Sequence, residues 1–99
     1  TVIAKLFPVG YETTIAWNNF GLSVSDKVKD GAFIDKIRAN SGAYKTGLNK
    51  GDIIRQLDSW LIESKGDFYK SMLKVRYKDS IIMAVQRGNR IYFVTVEIN

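Results

Sequence analysis

The sequence predicts an α+β domain of five to six short β-strands with one long helix, one short helix and a further helical turn. Three observations carry this. Gly47 and Gly51 bracket Leu48-Asn49-Lys50, and the apolar Ile53, Ile54 and Leu57 follow at once. The glycines let the chain take φ > 0 on either side of one buried leucine, and the run after them is too apolar for the surface. Residues 64–75 carry a capping pattern and an apolar stripe at helical spacing. Gly88-Asn89 lies between two β-rich runs, the signal of a tight hairpin.

The chain has 99 residues, enough for one domain with its own core. A domain of this size hides roughly 60–65% of its unfolded surface. Hydrophobic residues make up 45% and charged residues 25%, an ordinary globular balance. No apolar run approaches the length of a membrane span, and no signal-peptide pattern opens the chain. The chain starts directly in a strand-like run, so it is expected to be a piece of a longer protein, with any signal or anchor outside it. No membrane contact is expected of this domain.

There is no cysteine and no histidine. Disulfides, thiolate metal sites and cysteine nucleophiles are excluded, as are Ser-His-Asp triads and imidazole metal sites. No catalytic residue, metal site or cofactor is predicted. The net charge is +5. Lys65, Lys70, Lys74, Arg76 and Lys78 stand against Asp67 as the one acid of their stretch. Such a stretch attracts acidic peptides, nucleic acid or anionic lipid, or is simply a solvated helix face. The solvated face is the simpler reading.

In chain order, residues 1–7 read as an edge strand stopped by Pro8, with residues 1–10 serving as edge strand or linker. Residues 10–19 read as a short helix, since Tyr11, Ile15 and Asn18-Asn19 fit one or two turns. Asn19-Phe20-Gly21-Leu22 then leads into a strand through Ser23, Val24 and Ser25. A glycine between apolar residues lets successive backbone N–H groups turn towards one point, a small nest for an anion. Asp30-Gly31 is a turn before a strand over 32–37. Ile34 and Ile37 are three apart, so a bulge or bend there would bring both inside. Residues 41–46 form a helical turn. Asp58-Ser59 joins residues 53–57 to a short strand, and serine tolerates φ > 0 poorly, so an unusual turn type is expected.

The helix over 64–75 opens with Ser64-x-x-Asp67, a capping-box pattern. Phe68, Met72 and Val75 make its stripe, widened by Tyr69 and Leu73. Strands over 81–86 and 91–98 close the domain. Tyr92, Val94, Val96 and Ile98 alternate and are expected to face the core.

From Asn19 to Ile98 the pattern resembles PDZ domains, above all bacterial ones. The Gly47-to-Ile62 block is similar to their core motif. Val85-Gln86-Arg87-Gly88 followed by Tyr92-Phe93-Val94-Thr95-Val96 resembles the closing hairpin of PDZ domains in HtrA-type (Deg) serine proteases, and the approach from Phe7-Pro8 through Ile15-Ala16-Trp17 to Phe20-Gly21-Leu22 resembles the segment that leads into a second PDZ domain there. Gly42 stands where bacterial relatives usually carry proline, so that turn is expected to be less rigid. The resemblance implies a partly open antiparallel β-barrel or sandwich, with residues 19–98 as its core. It also implies a periplasmic protease, absent from this chain, whose PDZ domains bind C-termini or unfolded segments and govern its assembly and activity. Other domains or subunits of that protease would be further partners.

By the same resemblance a peptide would add as a strand beside Leu22–Ser25, against the long helix. The N–H groups of Phe20, Gly21 and Leu22 would hold its terminal carboxylate. Ser23, Val24, Ser25, Lys65, Phe68, Tyr69 and Met72 would line the groove, with Phe20, Leu22, Val24, Phe68 and Met72 forming the pocket. Relatives preferring Ser or Thr near the ligand end use a histidine at the start of this helix. Lys65 stands there instead, so that preference does not carry over. Three rival readings have different signatures. A PDZ protein of type II secretion would show a membrane anchor in its flanking sequence. A nucleic-acid binder would use the lysines among Phe68, Tyr69 and Tyr77, but no nucleic-acid motif is visible. An enzyme would need a glycine-framed serine nucleophile, and none is visible.

Overall fold

The computed structural model describes residues 11–97. The expected strand over 1–7 and the inward placement of Ile98 lie outside these residues. The first element, α1 (Tyr11–Ile15), runs straight into a wider π-helical turn, Ala16–Phe20. Gly21 ends it at φ 83°, donating its N–H to the Ala16 carbonyl five residues back at 2.8 Å. A Cβ at Gly21 would fall on the Ser41 side chain, so both conformation and space demand glycine.

Among the described residues six strands form one antiparallel sheet that does not close on itself. They are β1 (Leu22–Ser25), β2 (Ala32–Ile37), β3 (Ile53–Leu57), β4 (Trp60–Leu61), β5 (Ser80–Arg87) and β6 (Arg90–Glu97). The order is β1-β2-β3-β5-β6, with β4 paired to β3. β1 is therefore an edge among the described strands. Ser23 faces Lys36 but Val24 faces Ile34, so Asp35 is an extra residue on β2. This is the expected bulge: Ile34 is buried and Ile37 packs against the core.

The helical turn α2 (Gly42–Thr46) starts at Ser41, whose Oγ accepts from the Tyr44 N–H. It packs against β6, where the Thr46 hydroxyl donates to the Thr95 carbonyl at 3.2 Å. Gly47 and Gly51 both take φ 94°, and Leu48 between them is buried, as expected. In the β3–β4 turn Asp58 takes the positive φ, at 52°, and Ser59 avoids it. The long helix α3 (Lys65–Val75) starts one residue after its cap, Ser64, whose Oγ accepts from the Asp67 N–H at 3.1 Å. Asp67 reaches back to the Glu63 N–H at 3.0 Å, one residue further than the usual box.

The core unites Phe20, Leu22, Ile34, Ile54, Leu57, Phe68, Met72, Val75, Met83 and Val96 between the sheet, α3 and the π turn. On β6 the expected alternation holds only at its far end: Val96 is buried and Val94 partly so, but Tyr92 is 42% exposed. At the near half of this strand Tyr92 lies outside the core cluster, with the Arg87 guanidinium 5.9 Å from the centre of its ring. On the opposite face of the sheet a cross-strand row of Leu61, Gln56, Ala84 and Phe93 leaves Leu61 and Phe93 largely exposed.

Candidate functional site

Four residues of β1 set the site. Leu22 and Val24 turn their side chains into the core, while Ser23 and Ser25 remain half-exposed. The alternation follows from strand geometry, which sends successive side chains to opposite faces while the backbone polar groups stay in the sheet plane. At Val24 those groups point away from β2, across a short gap to α3. There they meet Tyr69. Its hydroxyl accepts from the Val24 N–H at 2.9 Å and lies 3.4 Å from the Val24 carbonyl, to which it donates. The Tyr69 ring stands edge-on to Phe68, centroids 5.3 Å apart.

A second tie crosses the same gap. Just past the end of β1, Asp26 accepts from the Lys65 backbone N–H at 2.6 Å. A carboxylate there satisfies one of the unpaired N–H groups of the first helical turn and suits its positive end. The side chain of Lys65 itself is exposed beside this mouth. On the sheet side, Ser25 donates to the bulged Asp35 at 3.1 Å.

At the other end of β1 sits the Phe20–Leu22 turn. The Gly21 N–H is committed to Ala16, and the Gly21 carbonyl accepts from the Arg38 N–H at 2.9 Å. The Arg38 guanidinium donates to the carbonyls of Trp17 and Asn18, at 3.1 and 3.0 Å. The turn is thus held from both sides. An incoming carboxylate can use the Gly21 N–H only by opening the π-helical hydrogen bond. Wide turns of this type often occur at functional sites.

The structure brings the nominated residues to one place but distributes them unevenly. Phe20, Leu22, Phe68 and Met72 have no exposed surface and Val24 almost none, so the five residues expected to form a pocket are packed as core. Of the helix residues, Tyr69 and Lys65 remain at the groove. Sequence reading missed Asp26 and Arg38. Neither has a local signature, because the side chain of each acts on residues 20 or more positions away.

The basic stretch over residues 65–78 is partly used internally. Lys74 lies 4.9 Å from the centre of the Trp60 ring and Lys78 pairs with Asp58 at 2.7 Å. Arg76 stacks on Tyr77 and donates to the Leu73 carbonyl. Among the described residues no group of three or more His, Cys, Asp or Glu could hold a metal ion, and no helix is long and apolar enough to cross a membrane.

Comparison with curated proteins gave no match. Solved structures share the fold. The PDZ domain of HtrA3, solved with a phage-derived ligand, superposes with a TM-score of 0.68 at 17% identity, over 81% of this chain and 83% of that one. The HtrA-type protease AlgW, solved with a decapeptide, gives 0.67 at 19% identity, over 81% of this chain and 28% of that one. An aminopeptidase N family protein from Idiomarina loihiensis gives 0.68 at 18% identity, over 81% of this chain and 13% of that one. This chain therefore spans most of the first and only a minor part of the other two. A family model for the PDZ domain matches residues 19–98, the whole stretch from the Phe20–Leu22 turn to the end of β6, and on that match the chain belongs to the PDZ domain family.

Proposed function

We propose that this domain captures C-terminal or unfolded segments of other proteins by adding them as a strand beside β1. The observation that carries the reading is β1 itself. It is a sheet edge with a helix across from it, and its Val24 N–H and C=O turn outward. Edge groups of that kind supply affinity to an added strand, and the flanking side chains supply selectivity. The peptides bound to the HtrA3 PDZ domain and to AlgW support the same reading. The parent is proposed to be an HtrA-type serine protease of the periplasm, with this domain regulating it and contacting its other domains or subunits. The chain itself is a PDZ domain without a catalytic domain. Flanking sequence decides the parent: a serine-protease domain supports it, and a membrane anchor points to type II secretion.

The test is an NMR titration with hydrophobic-ended peptides, as free acid and as C-terminal amide. Hydrogen bonds to a charged acceptor are worth roughly 1.5–3 kcal/mol. The free acid should bind with a Kd of about 1 μM, near −8 kcal/mol. It should shift the amides of Phe20, Gly21, Leu22 and Ser23 most, and the amide form should bind at least tenfold more weakly, a gap of about 1.4 kcal/mol. Equal binding of both forms would replace terminal with internal recognition. No shift with any peptide would overturn the reading in favour of a structural role.

A further inference from the structure

We infer that Tyr69 is a built-in competitor for the peptide groove: its hydroxyl takes the place of one residue of an added strand and must swing away before a peptide can pair along β1. In an antiparallel ladder, a hydrogen-bonded residue pair exchanges two bonds, N–H to O=C in each direction. Tyr69 reproduces both with a single group. It accepts from the Val24 N–H and donates to the Val24 carbonyl, so the two backbone groups that face the gap at this residue are already satisfied. A hydroxyl is one of the few side-chain groups that can be donor and acceptor at once.

Three features make the contact a latch rather than a chance surface bond. Tyr69 is only half-buried, unlike its fully buried neighbour Phe68. Its edge-on contact with the fully buried Phe68 sets the ring's direction when it is in place. The Asp26 bond to the first N–H of α3 holds helix and strand together at the open end of the same gap, fixing the distance the phenol must span. Binding therefore exchanges two internal hydrogen bonds for two to the ligand at Val24, so that position adds little to affinity while the phenol competes for it. Selectivity then shifts towards the last residues of the peptide, beside Leu22 and the Phe20–Leu22 turn.

This inference rests on the peptide-binding reading, and the experiment separates the two. A phage library displaying random C-terminal heptapeptides is panned on the wild-type domain and on Tyr69→Phe. The best-enriched peptide is then titrated into both, and the hydrogen exchange of the Val24 amide is followed in both without ligand. Phenylalanine keeps the ring and its contact with Phe68 and removes only the hydroxyl. The expected result is faster exchange at Val24 in Tyr69→Phe together with three- to tenfold tighter peptide binding, a gain of about 0.7–1.4 kcal/mol. Equal or weaker binding by Tyr69→Phe, with the wild type still binding, would overturn the latch and leave the peptide-binding reading standing. Unchanged Val24 exchange would overturn the latch directly. If no peptide is enriched on either form, the peptide-binding reading falls and the latch falls with it.

Discussion

Phe68 has no exposed surface, while Tyr69, one residue further along α3, holds its hydroxyl at the edge of β1. A helical step of about 100° separates two such neighbours, so one ring can fill the core while the next reaches across the gap. Complete burial decides the cost of losing the first: Phe68→Ala should destabilise the domain by about 3–5 kcal/mol. A urea melt measures this, and a loss below about 0.5 kcal/mol would show that the ring is not core. Gly42 illustrates a different constraint. Its sequence context suggests a loosened turn, but a Cβ there would fall on the Glu97 carbonyl, so glycine is what lets α2 approach β6. Any residue with a Cβ, proline included, would meet the same oxygen.

At the scale of elements, α3 was the most legible part of the chain. Its cap, its acid in the first turn and its stripe of Phe68, Met72 and Val75 are local patterns, and each appears where expected. The bulge on β2 was equally readable, from two isoleucines three apart. What could not be read was the packing across the groove. The Tyr69–Val24 contact joins residues 45 positions apart, and the Asp26–Lys65 contact 39. Periodicity says which face of a helix is apolar. It does not say which half-polar residue at the border will find a backbone edge. For the same reason the sequence placed Phe68 and Met72 at the groove wall as readily as Tyr69. Lys65 remains the exposed cation at the mouth of the groove. It should favour peptides with an acidic side chain two or three residues from the end. An exposed pair is worth only about 0.2–1 kcal/mol, so the preference should be at most about fivefold. A peptide array should show it, and Lys65→Ala should abolish it; an array without acidic preference removes the idea.

Over the whole molecule, the closing hairpin is pinned to the Gly47–Asp52 turn by one ion pair. Arg87 donates to both oxygens of the buried Asp52, at 2.9 and 2.7 Å, and to the Gly47 carbonyl at 3.0 Å. The hydrogen bond and charge of Asp52 raise the pKa of Arg87 above its ordinary value. A cation with a raised folded pKa stabilises at every pH below its unfolded value and stops doing so only as the pH rises through the folded one. For an arginine that window lies in strong alkali. The chain has no histidine to titrate nearer neutrality. The melting temperature should therefore stay nearly constant between about pH 6 and 8. Differential scanning calorimetry checks this, and a change above about 4–8 °C, equivalent to about 1 kcal/mol in a domain of this size, would contradict it. The order of strands, by contrast, was not legible: alternation marks strands but does not choose their neighbours, and Tyr92 is exposed on β6, which ends the order of the described strands.

The tie between Tyr69 and Val24 has a bearing on solubility as well. An edge strand with free N–H and C=O groups is a template on which a second copy can pair, the first step of sheet-to-sheet aggregation. At β6 the approach of α2 already obstructs part of the edge, through Thr46 on Thr95 and Gly42 against Glu97. At β1 no described strand pairs with the outer edge, and one phenol from α3 fills the backbone position that a neighbouring molecule would use. The residue that makes a peptide compete for entry thus also keeps the domain from becoming its own ligand.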